Sequence, residues 1–123
     1  MKDLGREGER LVEGQYNRMG FKVLERNYIF KRGKQTGELD LVFIKGNEIV
    51  FVEVKTRSNN SFGGPFEAVD INKQRKLVHT AKLYIELNPK YYQHSYRIDV
   101  AAVDIDNHAA PVIILENAIE DFD

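Results

Sequence analysis

The sequence predicts a single α/β domain, residues 1–123, built from a mixed β-sheet flanked by helices. Three observations lead to this prediction. The chain has the length of one domain, and its apolar fraction of 42% can form one core without covalent crosslinks. Apolar residues recur at helical spacing in two segments and at strand spacing in several others. The order of these segments makes a helix available to cover each face of a sheet with mixed strand directions.

The chain opens with a predicted helix and a predicted strand. In residues 4–19, the apolar side chains fall on one side of a predicted helix. Asp3 can cap this helix, and Gly20 can end it. Residues 21–30 have an extended pattern, and we predict one strand there, with a bend allowed between its two halves.

A β-hairpin is the next predicted feature. Residues 38–45 and 48–55 are rich in Val, Ile, Leu and Phe, and Gly46-Asn47 between them suits a two-residue turn. Residues 58–65 have the glycine, proline and small polar residues of a loop. The hairpin and the loop therefore separate the two predicted helices.

The remaining elements are a second helix and two strands. Helix 2 is predicted to begin at Asp70 or Asn72 and to end near Leu87. Strands are predicted at about 96–104 and 111–116. These elements complete the sheet and supply the second covering helix.

The composition favours the cytoplasm. Without cysteine the chain forms no disulfide and no thiolate metal site, which suits a reducing compartment. No apolar run approaches the length of about 18 residues that a membrane span needs, so we expect no membrane association. Zinc is not expected either, because the three histidines share no ligand spacing: His79, His94 and His108.

Charge is distributed unevenly along the chain, although the net charge is only −1. Residues 1–82 hold 16 Lys/Arg and 11 Asp/Glu, whereas residues 83–123 hold 2 and 8. This asymmetry allows a local basic face, as a phosphate-backbone partner requires. Two solvated surfaces of opposite sign are the alternative.

A two-residue turn at Gly46-Asn47 fixes which hairpin residues face each other. Asp40 would lie opposite Glu53, and Glu38 opposite Lys55. The other face of the hairpin is apolar and must be buried; it is formed by Leu39, Leu41, Phe43, Val50, Val52 and Val54. A cluster of charges at one end of a covered strand pair is anomalous and marks a candidate site.

This cluster has the composition of a divalent-metal site. Asp40 and Glu53 would repel each other unless a cation lay between them. Mg²⁺ or Mn²⁺ could be held there by both carboxylates and by the Val54 carbonyl. Lys55, kept protonated by the carboxylates, would orient the attacking water or stabilise charge on phosphorus. The alternative is a Glu38–Lys55 ion pair on a solvated hairpin end.

Glu9 is a further candidate ligand. It lies at the edge of the apolar stripe of helix 1, beside Tyr16, from where it could reach the carboxylates of the hairpin. A glutamate at such an edge is also common as a solvated boundary residue. Both interpretations stay open.

The first turn of helix 2 is basic, which is unfavourable against the helix dipole unless a partner is bound. Its free N–H groups and side chains could hold backbone phosphates without regard to base sequence. A solvated first turn is the alternative. The candidate nucleic-acid contacts are Lys73, Gln74, Arg75 and Lys76, together with Arg57 beside the 58–65 loop, which could close over bound strands.

Several motifs together resemble the PD-(D/E)XK nuclease superfamily. The motifs that carry the core of this resemblance are Glu9 on the first helix, Gly37–Val42 (GELDLV) and Phe51–Arg57 (FVEVKTR). The resemblance is closest to the YraN-like family of bacterial proteins, which is related to archaeal Holliday junction resolvases. It extends over nearly the whole chain through Arg26-Asn27, Lys73-Gln74-Arg75 with Ala81 and Tyr84, and Arg97–Val100.

The resemblance implies a restriction-endonuclease-like fold and a metal-dependent endonuclease acting on DNA, branched or otherwise structured DNA included. It implies that Asp40, Glu53 and Lys55 form the catalytic core, with Glu9 assisting the metal, directly or through water. Leu39 stands where the motif has proline, a position that often varies in the superfamily.

Two supporting residues and the assembly state are less defined. Glu38 and Asp99 are candidates for supporting the site, although the sequence suggests no mechanism for Asp99. Resolvases of related fold act as dimers, so a homodimer stays open, with no interface identified in the sequence.

Two other function classes compete with the nuclease. A catalytically idle nucleic-acid-binding module would keep the basic helix without needing the four site residues. A protein-interaction domain would need a sizeable apolar patch. The intact set of Asp40, Glu53, Lys55 and Glu9 favours the enzyme.

Overall fold

The computed structural model describes residues 4–57 and 69–120 and confirms the predicted α/β class. Its elements are α1 (Leu4–Arg18), β1 (Lys22–Arg32), β2 (Gln35–Lys45), β3 (Glu48–Arg57), α2 (Ile71–Leu87), a 3₁₀ turn (Pro89–Tyr91), β4 (Ser95–Asp104) and β5 (Val112–Leu115). The strands form one sheet in the order β1-β2-β3-β4-β5. β3 and β4 are parallel, and the other neighbours are antiparallel. Neither described helix is long and apolar enough to cross a membrane.

One helix covers each face of the sheet. On one face, Val12 and Tyr16 of α1 are fully buried, and the Tyr16 ring stacks on Phe43 with centroids 4.4 Å apart. On the other face, Ala81 of α2 is fully buried in a second cluster that contains Phe51. A large apolar side chain buried in this way contributes roughly 1.5–3 kcal/mol. The two clusters therefore hold both helices firmly on the sheet.

The predicted hairpin is confirmed near its turn. Lys45 lies opposite Glu48, and the same register continues to Leu41 opposite Val52. Gly46 has a φ of +58°, as the first central residue of a type II′ turn requires.

A kink in β1 and β2 ends this pairing. The β1–β2 ladder skips Asn27 and Asp40, which would otherwise face each other. Asn27 has a φ of +51°, and this left-handed conformation interrupts the alternation of side chains along the strand. Leu41 consequently belongs to the cluster under α1, whereas Leu39 belongs to the cluster under α2. The prediction that both lie on one apolar face is therefore wrong at Leu39.

Beyond the kink, β1 and β2 continue as a two-stranded ribbon without β3. In this ribbon, which we call the arm, Tyr28–Arg32 pairs with Gln35–Leu39. The sequence prediction ended the first strand at Phe30 and began the second at Glu38, because the residues between them have turn composition. The observed turn is much tighter and is made by Gly33, with a φ of +60°, and the residue after it.

Two glycines allow close packing around the carboxyl end of β3. Gly8 of α1 lies against the Thr56 side chain of β3, and Gly37 of the arm lies against the Thr80 side chain of α2. A Cβ atom at either position would collide with the hydroxyl group of the threonine. These contacts fix α1 and the arm on either side of the β3 end.

Candidate active site

An open cleft lies at the carboxyl end of β3, between α1, the arm and α2. Its volume is about 810 Å³. All four residues that the sequence predicts for catalysis line it. Its charged lining residues are Glu9 from α1, Glu38 and Asp40 from β2, Glu53 and Lys55 from β3, and Asp70, Lys73 and Lys76 from the start of α2.

At the kink, the Asp40 side chain replaces a backbone carbonyl of β2 as hydrogen-bond acceptor for β3. Its Oδ2 accepts the Val54 N–H at 2.8 Å, in the place where a carbonyl of β2 would otherwise bond. In an antiparallel pair, the N–H and C=O of one residue point to the same neighbouring strand. The Val54 carbonyl therefore faces the gap left by β2, where the β2–β3 ladder has already ended.

The negative charge of the Asp40 carboxylate is only partly neutralised by the groups around it. Burial, together with the nearby charges of Glu53 and Glu9, raises its pKa from an ordinary value of 3.8 to about 6, although the Val54 hydrogen bond and the charge of Lys73 act in the opposite direction. A carboxylate in this state gains free energy from an added cation.

Glu53 is only 6% exposed and is paired with two lysines. The Lys73 Nζ lies 2.9 Å from Glu53 Oε1, and the Lys55 Nζ lies 3.7 Å from the same oxygen. The sequence prediction assigned Lys73 to the nucleic-acid surface, whereas the structure places its ammonium group on Glu53. Asp70, the N-cap of α2, accepts the Lys73 N–H at 2.9 Å and so fixes the start of the helix beside the cleft.

Lys55 is less basic than an ordinary lysine. Burial lowers its pKa, the neighbouring ammonium group of Lys73 lowers it further, and the carboxylates of Glu53 and Asp40 oppose the change. The sequence argument considered only the two carboxylates, because Lys73 lies on another element. The cleft thus holds two neighbouring lysines beside its buried glutamate.

The donor set fits a divalent ion that also uses water and substrate. Within residues 4–57 and 69–120, no three His, Asp or Glu side chains are grouped closely enough to hold an ion by themselves. Mg²⁺ is commonly held by one or two carboxylates, with waters and phosphate oxygens completing the shell. Asp40 and Glu53 meet that requirement, and the Val54 carbonyl faces the same gap.

Comparison with known proteins identifies the family. The model of a family described as "Uncharacterised protein family UPF0102" matches residues 8–103, from the first turns of α1 almost to the end of β4. The chain belongs to the UPF0102 family. The predicted YraN-like resemblance is thereby confirmed.

Relatives within the UPF0102 family align over most of the chain. The UPF0102 protein of Stutzerimonas stutzeri is 36% identical over 116 residues, which cover 94% of this chain and 93% of the relative. That of Pseudomonas syringae pv. syringae is 38% identical over 117 residues, covering 94% and 92%. That of Caldanaerobacter subterraneus subsp. tengcongensis is 41% identical over 102 residues, covering 83% and 80%.

The other predicted nucleic-acid contacts of this UPF0102 protein lie in the first turns of α2 and at the end of β3. Lys76 is exposed and lines the cleft, and Arg75 is exposed on the same helix. Gln74 instead donates a side-chain hydrogen bond to the Val69 carbonyl at 3.0 Å, so its amide group helps to close the helix start. Arg57 ends β3, and the predicted 58–65 loop lies outside the described residues.

Asp99 lies on the opposite face of the sheet from Glu53. It is fully buried and accepts hydrogen bonds from the Tyr16 hydroxyl at 2.6 Å, the Arg97 Nε at 2.9 Å and the Asn117 N–H at 2.8 Å. This network ties α1 to β4 and to the segment after β5. Asp99 thus stabilises the fold and does not line the cleft.

Sequence reasoning missed two contributions to the site of this UPF0102 chain. The first is the left-handed Asn27, whose signal was an asparagine, a residue that tolerates this conformation, within a strand pattern. The second is the Lys73–Glu53 ion pair, which joins two elements distant in sequence. No local pattern could have revealed that pair.

Proposed function

We propose that this protein is a metal-dependent endonuclease that hydrolyses phosphodiester bonds in DNA, branched or structured DNA included. The observation that carries the proposal is the convergence of Asp40, Glu53 and Lys55 in one cleft, with Glu9 beside them. Phosphodiester hydrolysis needs an ion to activate water and positive charge on the phosphate. The cleft has residue types suited to both tasks.

Each site residue has a distinct role in this proposal. Asp40, Glu53 and the Val54 carbonyl hold Mg²⁺ or Mn²⁺, which supplies Lewis acidity and lowers the pKa of a bound water. Lys55 neutralises charge that develops on the phosphate oxygens. Glu9, which faces Asp40 from α1, orients water at the edge of the site.

Lys73 has two successive partners in this proposal. Without metal, its ammonium group neutralises Glu53 at 2.9 Å. If Glu53 bound a metal ion, Lys73 would be free to bind a backbone phosphate oxygen as a point charge. The nucleic-acid role predicted for Lys73 and its observed ion pair are therefore compatible.

The same ion pair favours one second candidate, a non-catalytic nucleic-acid-binding module on a nuclease fold. Lys73 already compensates Glu53 without a metal, as a purely structural ion pair would. Such a module would bind DNA through the basic residues around the cleft and would leave it uncut.

The deciding experiment is a titration of Mn²⁺ into isotope-labelled protein, followed by amide NMR signals. Wild type and an Asp40→Asn variant are compared, with Glu38→Gln as a control that removes an exposed carboxylate from the rim of the same cleft. We expect selective broadening around residues 9, 40 and 53–55 in wild type and in Glu38→Gln, and its loss in Asp40→Asn.

Cleavage is tested on the same three proteins. Labelled duplexes, single strands and four-way junctions are incubated with Mg²⁺ or Mn²⁺, with EDTA as the metal-free control. Cleavage that requires both the metal and Asp40 supports the nuclease. Binding of DNA without broadening or cleavage supports the non-catalytic module instead.

A further inference from the structure

The arm is a basic extension of the sheet. Lys31, Arg32 and Lys34 are exposed on it, and Glu38 is its one acidic residue. Among the described residues, none of the three basic side chains forms an ion pair. The Arg32 guanidinium lies 5.8 Å from the ring centroid of the buried Phe30, which supports one side of the arginine. Within residues 4–57 and 69–120, the arm therefore presents three positive charges that have no ion-pair partner.

One of these charges, that of Lys31, is continuous with the cleft. Lys31 lies opposite Thr36 in the ribbon, and directly opposed residues share a face of an antiparallel pair. Thr36 lines the cleft, as do Lys73 and Lys76 on the other side. A polyanion that enters the cleft at Asp40 thus meets positive charge on α2 and at Lys31 of the arm.

The dimensions of the arm match a nucleic-acid duplex. From Asp40 to Gln35 the strand advances five residues, or about 17 Å at roughly 3.4 Å per residue. One strand of B-DNA carries a phosphate every 3.4 Å along the axis, so this length corresponds to about five base pairs. A two-stranded ribbon also fits the major groove, which is about 12 Å wide.

We propose that the arm is a duplex-DNA-binding element that contacts backbone phosphates up to about five base pairs from the phosphate held in the cleft. This inference rests on the proposed function, since it takes DNA as the occupant of the cleft. Contacts of basic side chains with phosphates position a protein on DNA without reading its bases. The arm therefore contributes affinity and orientation to substrate binding.

The test measures duplex binding as a function of salt, in Ca²⁺ so that cleavage is not required. The arm variant is Lys31→Gln/Arg32→Gln/Lys34→Gln. Its matched control, Lys22→Gln/Lys45→Gln/Lys90→Gln, removes the same charge from exposed positions away from the arm. We expect the arm variant to bind duplex about ten-fold or more weakly than wild type. The slope of log K against log salt, which is negative, should become smaller in magnitude by about 2–3. The control should keep the wild-type slope within about one.

Each outcome decides for or against the arm. Equal affinities and slopes for wild type and the arm variant, or equal losses in the arm variant and the control, overturn the inference. If wild type still cleaves DNA in that case, the proposed function stands without the arm. If wild type binds no duplex or junction at all, both proposals fail. Unchanged Mn²⁺ broadening in the arm variant verifies that its cleft is folded.

Discussion

Replacing Asp40 with asparagine should raise the free energy of unfolding of the metal-free protein near neutral pH. Burial, aided by the charges of Glu53 and Glu9, raises the pKa of Asp40 to about 6, so ionising this carboxyl costs more in the folded than in the unfolded chain. Asparagine carries no charge, and its Oδ1 can still accept the Val54 N–H. The variant therefore removes the electrostatic cost and keeps the hydrogen bond.

The expected gain in the free energy of unfolding follows from the shift in the pKa of Asp40. One pKa unit corresponds to about 1.4 kcal/mol, so a rise from 3.8 to about 6 corresponds to about 3 kcal/mol at pH 7. In wild type the folded state holds this proton more tightly, so its stability falls as the pH rises from about 4 to about 6 and levels off above that. In a chain of this length, about 3 kcal/mol corresponds to a rise in Tm of roughly 10 °C.

The assay is urea denaturation in EDTA, followed by circular dichroism between pH 4 and pH 8. Asp40→Asn should have a higher free energy of unfolding than wild type at pH 7, and most of this difference should be lost at pH 4. Glu38→Gln, which removes an exposed carboxylate, should have the same free energy of unfolding as wild type at every pH. A variant less stable than wild type at pH 7, or a gain that is the same at pH 4 and pH 7, would refute the reasoning. When Mn²⁺ replaces EDTA, it should stabilise wild type and Glu38→Gln but not Asp40→Asn.

Three further substitutions test other parts of the structure. Lys73→Met should tighten Mn²⁺ binding several-fold, because it removes the ammonium group that neutralises Glu53, and it should reduce cleavage. An unchanged Mn²⁺ affinity would count against Glu53 as a common partner of Lys73 and the metal ion. Asn27→Val should lower the free energy of unfolding by about 1–2 kcal/mol, because a β-branched residue is strained at positive φ, whereas Asn27→Gly should keep the kink. Equal urea midpoints for these two variants would show that the kink does not depend on that conformation. Tyr16→Phe should cost about 1–3 kcal/mol in the same assay, since the buried Asp99 loses a donor, and a changed Mn²⁺ affinity would contradict its separation from the cleft.

The parts of the fold that the sequence predicted correctly depend on local patterns. Gly46-Asn47 sets the turn of the hairpin, and the period of two along its strands then fixes the register as far as Leu41. Asp70 caps α2 through its side chain, which is a signal confined to four residues. Asp40, Glu53 and Lys55, which the sequence grouped as a candidate site, line one cleft at the end where this pairing stops.

The parts that could not be predicted depend on tertiary contacts. Extending the register by arithmetic placed Asp40 directly opposite Glu53, but the kink at Asn27 separates β2 from β3 there and turns the Asp40 carboxylate onto the Val54 N–H. The environment of Lys55 depends on a second lysine that only the folded chain brings near. Both differences have one cause. A prediction from a strand pattern treats strands as straight and leaves out residues that other elements bring near.

The arm also has a consequence for protein engineering. Phe30 and Gly37 tie its base to the body of the protein, whereas the segment from Lys31 to Thr36, in the part of the chain that the structure describes, has strand pairing only within the arm. Inserting two residues into each strand of that segment would keep the alternation of side chains and move the tip outwards by about 7 Å. The reach of the protein is thus an adjustable length, separable from the core.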